Sequence, residues 1–317
     1  MSVEQTASDG SPGGDTGPTI GVIGLGAIGD GVAASVHAAG FPLVVCDVRA
    51  EATDRHAGYA TVAASPADTA RAADIVVVAV VNDEQVHAVL SGPDGALVAG
   101  GTDTTFVVVS TITAACVAAI GAEAAAVGAP VVDCGVSGGP SAAASGDLVC
   151  MVGGDSDVIA QLAPLFDAIG SMSVTMGPFG TGLAAKLARN LVQYGGWLAA
   201  YEGQVLAEAA GIDLSKLAKV IKASDARIGG ASALMFRSTV APFTDTDDKG
   251  LVGAMRSAAA LAHKDLQAAL ALAGDLDVDL PLTAMTDERC DDIFGVGGTD
   301  GTTTSTTTNT TTEETAE

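Results

Sequence analysis

The stretch from Thr19 to Asp47 constrains this chain more than any other. A short apolar run, Thr19–Gly24, reads as a buried strand. It passes into Gly24-Leu25-Gly26-Ala27-Ile28-Gly29, a G-x-G-x-x-G sequence, and then into a helical pattern through Val32, Val36 and Ala39 that Gly40 ends. Leu43–Cys46 is a second strand and closes on Asp47. Strand, glycine turn, helix, strand and acid in that order form a βαβ unit suited to a dinucleotide. Gly24 permits the tight turn, Gly26 lets backbone approach a pyrophosphate, and Gly29 lets helix and strand pack closely. The diphosphate then rests on the helix N-terminus. Asp47 accepts hydrogen bonds from a ribose diol and repels a 2′-phosphate, which favours NAD over NADP. Arg49, two positions on, is nonetheless a group able to contact such a phosphate.

The following segments continue an alternating pattern. Thr61–Val62 is a short strand, and Ser65-Pro66 opens a helix as cap and first-turn proline. Asp74–Val81 is apolar on both faces, as in a parallel sheet, and ends at Asn82-Asp83, which opens another helix. Thr105–Val109 is the next strand. The hydroxyls of Ser110 and Thr111 at its carboxyl edge either face a nicotinamide crevice or cap the helix that follows. Pro130–Cys134 and Leu148–Gly154 read as strands, Val158–Ile169 as a helix and Ser173–Met176 as a last short strand. From Leu183 to about Ala273 the pattern is helical, interrupted by a surface loop over Asp245–Asp248 and Lys249.

Composition limits what such a chain does. With 317 residues and 48% hydrophobic content it can build one large domain or two ordinary ones. A formal net charge of −24 argues against nucleic acid and anionic membrane as partners. So acidic a protein suits a salt-loving cell, and a high-GC genome equally explains the excess of Ala and Gly. The five cysteines (Cys46, Cys116, Cys134, Cys150, Cys290) form no CxxC pair and read as free thiols in a reduced cytosol. No apolar run is long enough to span a membrane. Residues 1–18 carry neither a basic region nor an apolar core, so they read as a flexible tail on a cytoplasmic protein and not as a signal peptide. The Thr-rich stretch 298–317 reads as disordered.

Three further motifs carry chemistry. In Gly180–Asn190 (GTGLAAKLARN), Thr181 is a candidate N-cap, and Leu183, Leu187, Leu191, Tyr194 and Leu198 form an apolar stripe. Lys186 and Asn190 lie off that stripe, one turn apart on one face, which Gln193 and Trp197 continue. Gly135-Val136-Ser137-Gly138-Gly139-Pro140 follows a strand. As G-x-S-x-G it looks like a nucleophile elbow, which demands a helix directly after the serine. The Gly-Gly-Pro that follows is poor helix material, and only His263 lies downstream to complete a triad. The favoured reading is an anion cradle, with the Ser137 hydroxyl and glycine backbone N–H groups receiving a carboxylate. Lys264 lies between Leu261 and Ala268 on a partly apolar stripe, where it serves a site or merely snorkels. No His, Cys or carboxylate cluster has metal-ligand spacing.

Four ordered motifs, IGVIGLGAIG, VDCGVSGGPSAAASGDLVCMVGG, GTGLAAKLARN and HKDLQAALALA, resemble those of the β-hydroxyacid dehydrogenase family, across residues 19–290. The resemblance implies an α/β fold: a Rossmann doubly wound parallel sheet (19–179) joined by a long interdomain helix to an all-α domain (180–297). It implies a homodimer or homotetramer, a small carboxylate substrate, and hydride transfer between a nicotinamide cofactor and a 3-hydroxy acid such as 3-hydroxyisobutyrate, or its semialdehyde. Lys186 would be the general acid/base. Ser137, Gly138, Gly139 and Asn190 would hold the substrate carboxylate. The cofactor would be met by the Gly24–Gly29 loop, Asp47, Val81, Asn82, Thr111 and Lys264. The chain departs from the family pattern at Ile28, Ala114 and Arg189 and across Arg237–Arg256. Rival readings are an imine reductase, which on this fold usually lacks the lysine, a dinucleotide-binding scaffold without turnover, and a serine hydrolase at Ser137.

Overall fold

The computed structural model describes residues 17–297; the tail expectations for 1–16 and 298–317 lie outside them. The first part alternates strands β1 (Ile20–Ile23), β2 (Leu43–Cys46), β3 (Thr61–Val62), β4 (Ile75–Val78), β5 (Thr105–Val108), β6 (Val131–Ser137), β7 (Leu148–Gly153) and β8 (Gly170–Gly177) with nine helices. These helices are α1 (Gly29–Ala38), α2 (Ala50–Asp54), α3 (Pro66–Ala72), α4 (Asp83–Ser91), α5 (Ala96–Gly100), α6 (Ala114–Val127), α7 (Gly139–Ser145), α8 (Ser156–Gln161) and α9 (Ala163–Ile169). The second part is helical: α10 (Thr181–Ala209), α11 (Leu214–Ile228), a 3-10 turn at Ala231–Leu234, α12 (Lys249–Asp275), α13 (Pro281–Glu288) and α14 (Cys290–Ile293).

The strands form one sheet in the order β3-β2-β1-β4-β5-β6-β7-β8. All pairs are parallel except β6 with β7. The Val/Ile runs of β1, β2 and β4 are buried on both faces, as helices on both sides of a parallel sheet require. On one face Val32 and Val36 of α1 and Leu165 and Phe166 of α9 pack against Val22, Val45 and Val77. On the other, Leu90, Leu97 and Ile120 pack against Ile23, Val78 and Phe106. The strand order reverses between β1 and β4, and in such sheets a ligand lies at the carboxyl ends beside that switch.

Several local expectations are corrected. The segment 158–169 is two helices broken at Leu162, because Pro164 enters the first turn of α9 and supplies no N–H to continue the earlier turn. Thr181 is not an N-cap: it is the first residue of α10, and its hydroxyl donates to the Pro178 carbonyl at 2.7 Å. Lys249 opens α12 instead of lying in the loop, and Asp248 caps that helix by accepting from the Leu251 amide. Gly138-Gly139-Pro140 does lead into a helix, with the proline in the first turn of α7, where its missing N–H costs nothing.

Two compact units divide the chain, one ending at Asn190 and the next beginning at Leu191, so α10 belongs to both. In the second unit α12 packs on α13 and α14. Glu202 of α10 is buried and accepts from the Leu282 and Thr283 amides and the Thr283 hydroxyl, which caps α13. The His263 ring meets Asp287 at 2.7 Å. Of the apolar stripe on α10 only Leu183 is buried; Leu187, Leu191, Tyr194 and Leu198 are exposed, with Trp197 and Tyr201 beside them. Nothing among the described residues covers that stripe. No described helix is long and apolar enough to cross a membrane. All five cysteines are buried and free.

Candidate active site

The glycine turn after β1 is built as its sequence demands. Gly24 has φ +91°, and a Cβ there would stand 2.7 Å from the Ala79 carbonyl oxygen. A Cβ at Gly29 would stand 1.8 Å from the Gly24 carbonyl oxygen. At Gly26 a Cβ would meet nothing within 4 Å, so the space over the start of α1 is open. Ile28 precedes α1 and offers no side-chain acceptor to the first-turn amides. Open space beside amides that have no side-chain cap fits a diphosphate. Leu25 is buried while Ala27 is exposed at the lip of the turn.

Asp47 closes this turn from below. Its carboxylate accepts from the Leu25 amide at 2.7 Å, from the Arg49 amide at 2.9 Å and from Arg49 Nε at 3.0 Å. Burial pushes the Asp47 carboxyl up, but the Arg49 and Leu25 hydrogen bonds outweigh it and hold it below its usual range. A residue missed in the sequence joins here: Arg55 Nη2 pairs with Asp30 at 2.9 Å and approaches the Leu25 carbonyl at 3.4 Å, the same carbonyl that Arg49 contacts at 3.1 Å. Val81, three residues past β4, is exposed. Asn82 caps α4 by accepting from the Gln85 amide. Of the two roles left open for Ser110 and Thr111, capping falls to neither, because Thr113 caps α6. The Ser110 hydroxyl accepts from the Val80 amide at 2.9 Å and ties the ends of β4 and β5, and Thr111 is exposed at that edge.

Strand β6 ends at Ser137, and the backbone turns through Gly138 (φ +128°) and Gly139 (φ +73°) into α7. A Cβ at Gly139 would meet nothing within 4 Å, so the turn presents open backbone. Helix α7 lies directly on α1, where a Cβ at Gly31 would stand 2.7 Å from the Ala143 Cβ, and the Ser35 hydroxyl donates to the Ala143 carbonyl. Helices α7 and α1 are thereby fixed to each other. A helix after Ser137 removes one objection to a nucleophile elbow. Even so, Ser137 makes no hydrogen bond to a histidine among the described residues, so no base is set to activate it.

Lys186 lies one turn into α10 and is half-buried. Its Nζ donates to the Val136 carbonyl at 2.8 Å, one residue before Ser137. Burial lowers the Lys186 ammonium below its ordinary value; the Cys134 thiol on β6 opposes this and the Arg189 guanidinium adds to it. Asn190 follows one turn later, and its Oδ1 accepts from Arg189 Nη1 at 3.3 Å. The first unit thus brings Ser137, Gly138, Gly139 and Lys186 to the end of one strand. Lys264, in the second unit, is 71% exposed in its side chain and lies 3.4 Å from Asp265. No group of three potential metal ligands occurs among the described residues.

Also missed in the sequence is Asp133, fully buried in β6. Its oxygens accept from the amides of Gly180 at 2.5 Å and Leu183 at 2.6 Å, which start α10. Burial pushes this carboxyl up, and those amides oppose the push. The signal was present as an acid inside the apolar run PVVDC, since a carboxylate is buried there only against dedicated donors.

A doubly wound sheet with this turn, and a half-buried lysine beside an open glycine turn, suit a nicotinamide-dinucleotide oxidoreductase. Residues 19–177 match the NAD-binding domain of 6-phosphogluconate dehydrogenase, and residues 180–307 match the NAD-binding domain of NADP-dependent 3-hydroxyisobutyrate dehydrogenase. An uncharacterised oxidoreductase of Mycobacterium tuberculosis is 38% identical over 86% of this chain and 92% of its own. The L-threonate dehydrogenase of Cupriavidus necator is 33% identical over 84% of this chain and 86% of its own. A crystal structure of an oxidoreductase of unassigned activity from Mycobacterium avium superposes with a TM-score of 0.81 at 34% identity, covering 89% of this chain and all (100%) of that one. An imine reductase of Myxococcus stipitatus shares the fold alone, with a TM-score of 0.72 at 16% identity over 89% of this chain and 95% of its own. The chain belongs to the β-hydroxyacid dehydrogenase family, and it is an NAD(P)-dependent hydroxyacid dehydrogenase.

Proposed function

We propose that the chain oxidises the hydroxyl of a small 3-hydroxy acid, 3-hydroxyisobutyrate-like, or forms it from the semialdehyde, with Lys186 as the acid/base. The observation that carries this is the half-buried Lys186 amine held on the Val136 carbonyl beside the Ser137 turn. The Ser137 hydroxyl and the Gly138 and Gly139 backbone receive the carboxylate, and Asn190 adds a donor. The bound nicotinamide supplies the hydride acceptor, or the donor in reverse. During oxidation the hydroxyl proton passes to the neutral amine of Lys186. The fixed carboxylate orients the neighbouring carbinol carbon, which is a proximity effect. An imine reductase would not need this lysine and a scaffold would not need the cradle, so both rank below. NAD is favoured over NADP because the Asp47 carboxylate stands at the end of β2. The cofactor set in the first unit is the 24–29 loop, Asp47, Val81, Asn82 and Thr111.

A homo-oligomer is part of the proposal. The stripe exposed on α10 runs charge-free from Leu191 to Tyr201, and α11 buries no residue while carrying Lys216, Lys219, Lys222 and Arg227. A second copy of this acidic chain suits both surfaces. The deciding experiment is a panel of 3-hydroxy acids and cyclic imines, followed by NADH and NADPH absorbance. Turnover of a 3-hydroxy acid supports the reading, and turnover of imines alone overturns it.

A further inference from the structure

Asp133 takes no part in the proton transfer above, yet the structure commits a buried charge to it. The start of a helix leaves amides without partners, and its own N-cap side chain ordinarily takes one. Here Gly180 has no side chain, and the Thr181 hydroxyl is turned to Pro178. The cap comes instead from β6, by the two short bonds from the Gly180 and Leu183 amides to Asp133.

Glycines make the approach possible. A Cβ at Gly182 would stand 2.3 Å from the Met151 carbonyl oxygen and 2.8 Å from that of Asp133. One at Gly153 would stand 2.4 Å from Asp133 Oδ1, and one at Gly135 would stand 2.6 Å from the Lys186 Cβ. The first turn of α10 therefore sits in a socket of backbone on β6 and β7. Strand β6 grips the helix at two levels: Asp133 holds the turn at Leu183, and Val136 holds the turn at Lys186.

We propose that Asp133 is a positioning residue for the proton transfer: by seating the α10 start in this glycine socket it sets the depth of Lys186 against the Ser137 turn. The inference rests on Lys186 being the acid/base. Removing the carboxylate lets the helix start lift, and water reaches the amine. A buried ammonium that is rewetted recovers its higher affinity for a proton. If Asp133 acted only through its charge, its removal would favour the neutral amine and lower that affinity. The two roles shift the pH profile in opposite directions.

The test is Asp133→Asn in the full chain with NAD and the best substrate of the panel. A small displacement of an acid/base costs about 10²-fold, so kcat should fall by that order, while NAD affinity, set by the turn after β1, changes little. The acidic limb of kcat/KM for oxidation should move to higher pH. A limb that stays in place, or moves down, overturns the proposal. Gly182→Ala leaves the carboxylate intact but unseats the same turn, and it should move the limb in the same direction; no movement there overturns the proposal equally. Should neither variant fold, the wild type still decides: its Gly180 and Leu183 amides must exchange with solvent as slowly as those of β6, and exchange as fast as at an exposed helix start overturns the seating. Amide exchange reads the seating alone, whereas full activity in Lys186→Ala would overturn the acid/base reading instead.

Discussion

The amine of Lys186 donates to the carbonyl oxygen of Val136 at 2.8 Å, one residue ahead of Ser137. The acceptor matters. A carboxylate would hold the lysine protonated, whereas a carbonyl orients it without adding a charge. Burial then works against the ammonium, opposed only in part by the Cys134 thiol, and the lysine is lowered from 10.5. Oxidation needs the neutral amine, so its rate should rise with pH through a limb below 10.5, and reduction should fall through the same limb. Rate profiles in both directions check this; parallel profiles would contradict it.

Asp47→Asn should weaken NAD more than NADP. A hydrogen bond to a charged group is worth about 1.5–3 kcal/mol, which is roughly a ten- to hundred-fold rise in KM for NAD. The substitution also releases Arg49, whose guanidinium Asp47 now holds at 3.0 Å, and together with Arg55 it becomes available to a 2′-phosphate. Arg49→Ala should leave NAD largely unaffected. The measurement is kcat/KM with each cofactor, and a wild type that already prefers NADP would refute the assignment.

The turn, the acid and the sheet were legible because each is a local sequence signal: Gly24, Gly29 and Asp47 act within one βαβ unit. Lys186 and Asn190 were legible as a pair at helical spacing. Asp133 was not read as functional, because its partners at Gly180 and Leu183 lie 47 and 50 residues away and are backbone amides that no sequence marks. Arg55 escaped for the same reason, since it reaches the turn from α2 and contacts a carbonyl. The helix after Gly139 was misread because helix propensity describes interiors, while glycine and proline at a first turn carry little penalty. The stripe on α10 was legible as apolar but its exposure was not, since periodicity does not say whether a covering surface belongs to the same chain.

His263 gives the second unit a pH-dependent tie. Its ring meets Asp287 at 2.7 Å and Asp291 at 3.6 Å. The Asp287 hydrogen bond raises the imidazole above 6.5. A group whose folded value is raised contributes stability fully below its unfolded value and loses it as pH rises through the folded one. Thermal stability should therefore decline as pH rises upward from 6.5, the value above which the imidazole is held, and His263→Gln should flatten that decline. Melting curves of both proteins across this range check it; equal slopes would contradict it.

The acid/base role of Lys186 is the centre of the account, and Lys186→Ala tests it most directly. Loss of a general acid/base costs about 10²–10⁴-fold in rate, so kcat on the best 3-hydroxy acid should fall by at least that lower bound. NAD affinity, followed by titration, should be nearly unchanged, because the cofactor set proposed above does not include Lys186. Lys186→Arg should not restore turnover, since a guanidinium does not release its proton near neutral pH. Asn190→Ala is the control, expected to act mainly on the substrate KM. A Lys186→Ala enzyme that keeps more than about a tenth of wild-type kcat, a smaller loss than acid/base removal produces, would contradict the mechanism.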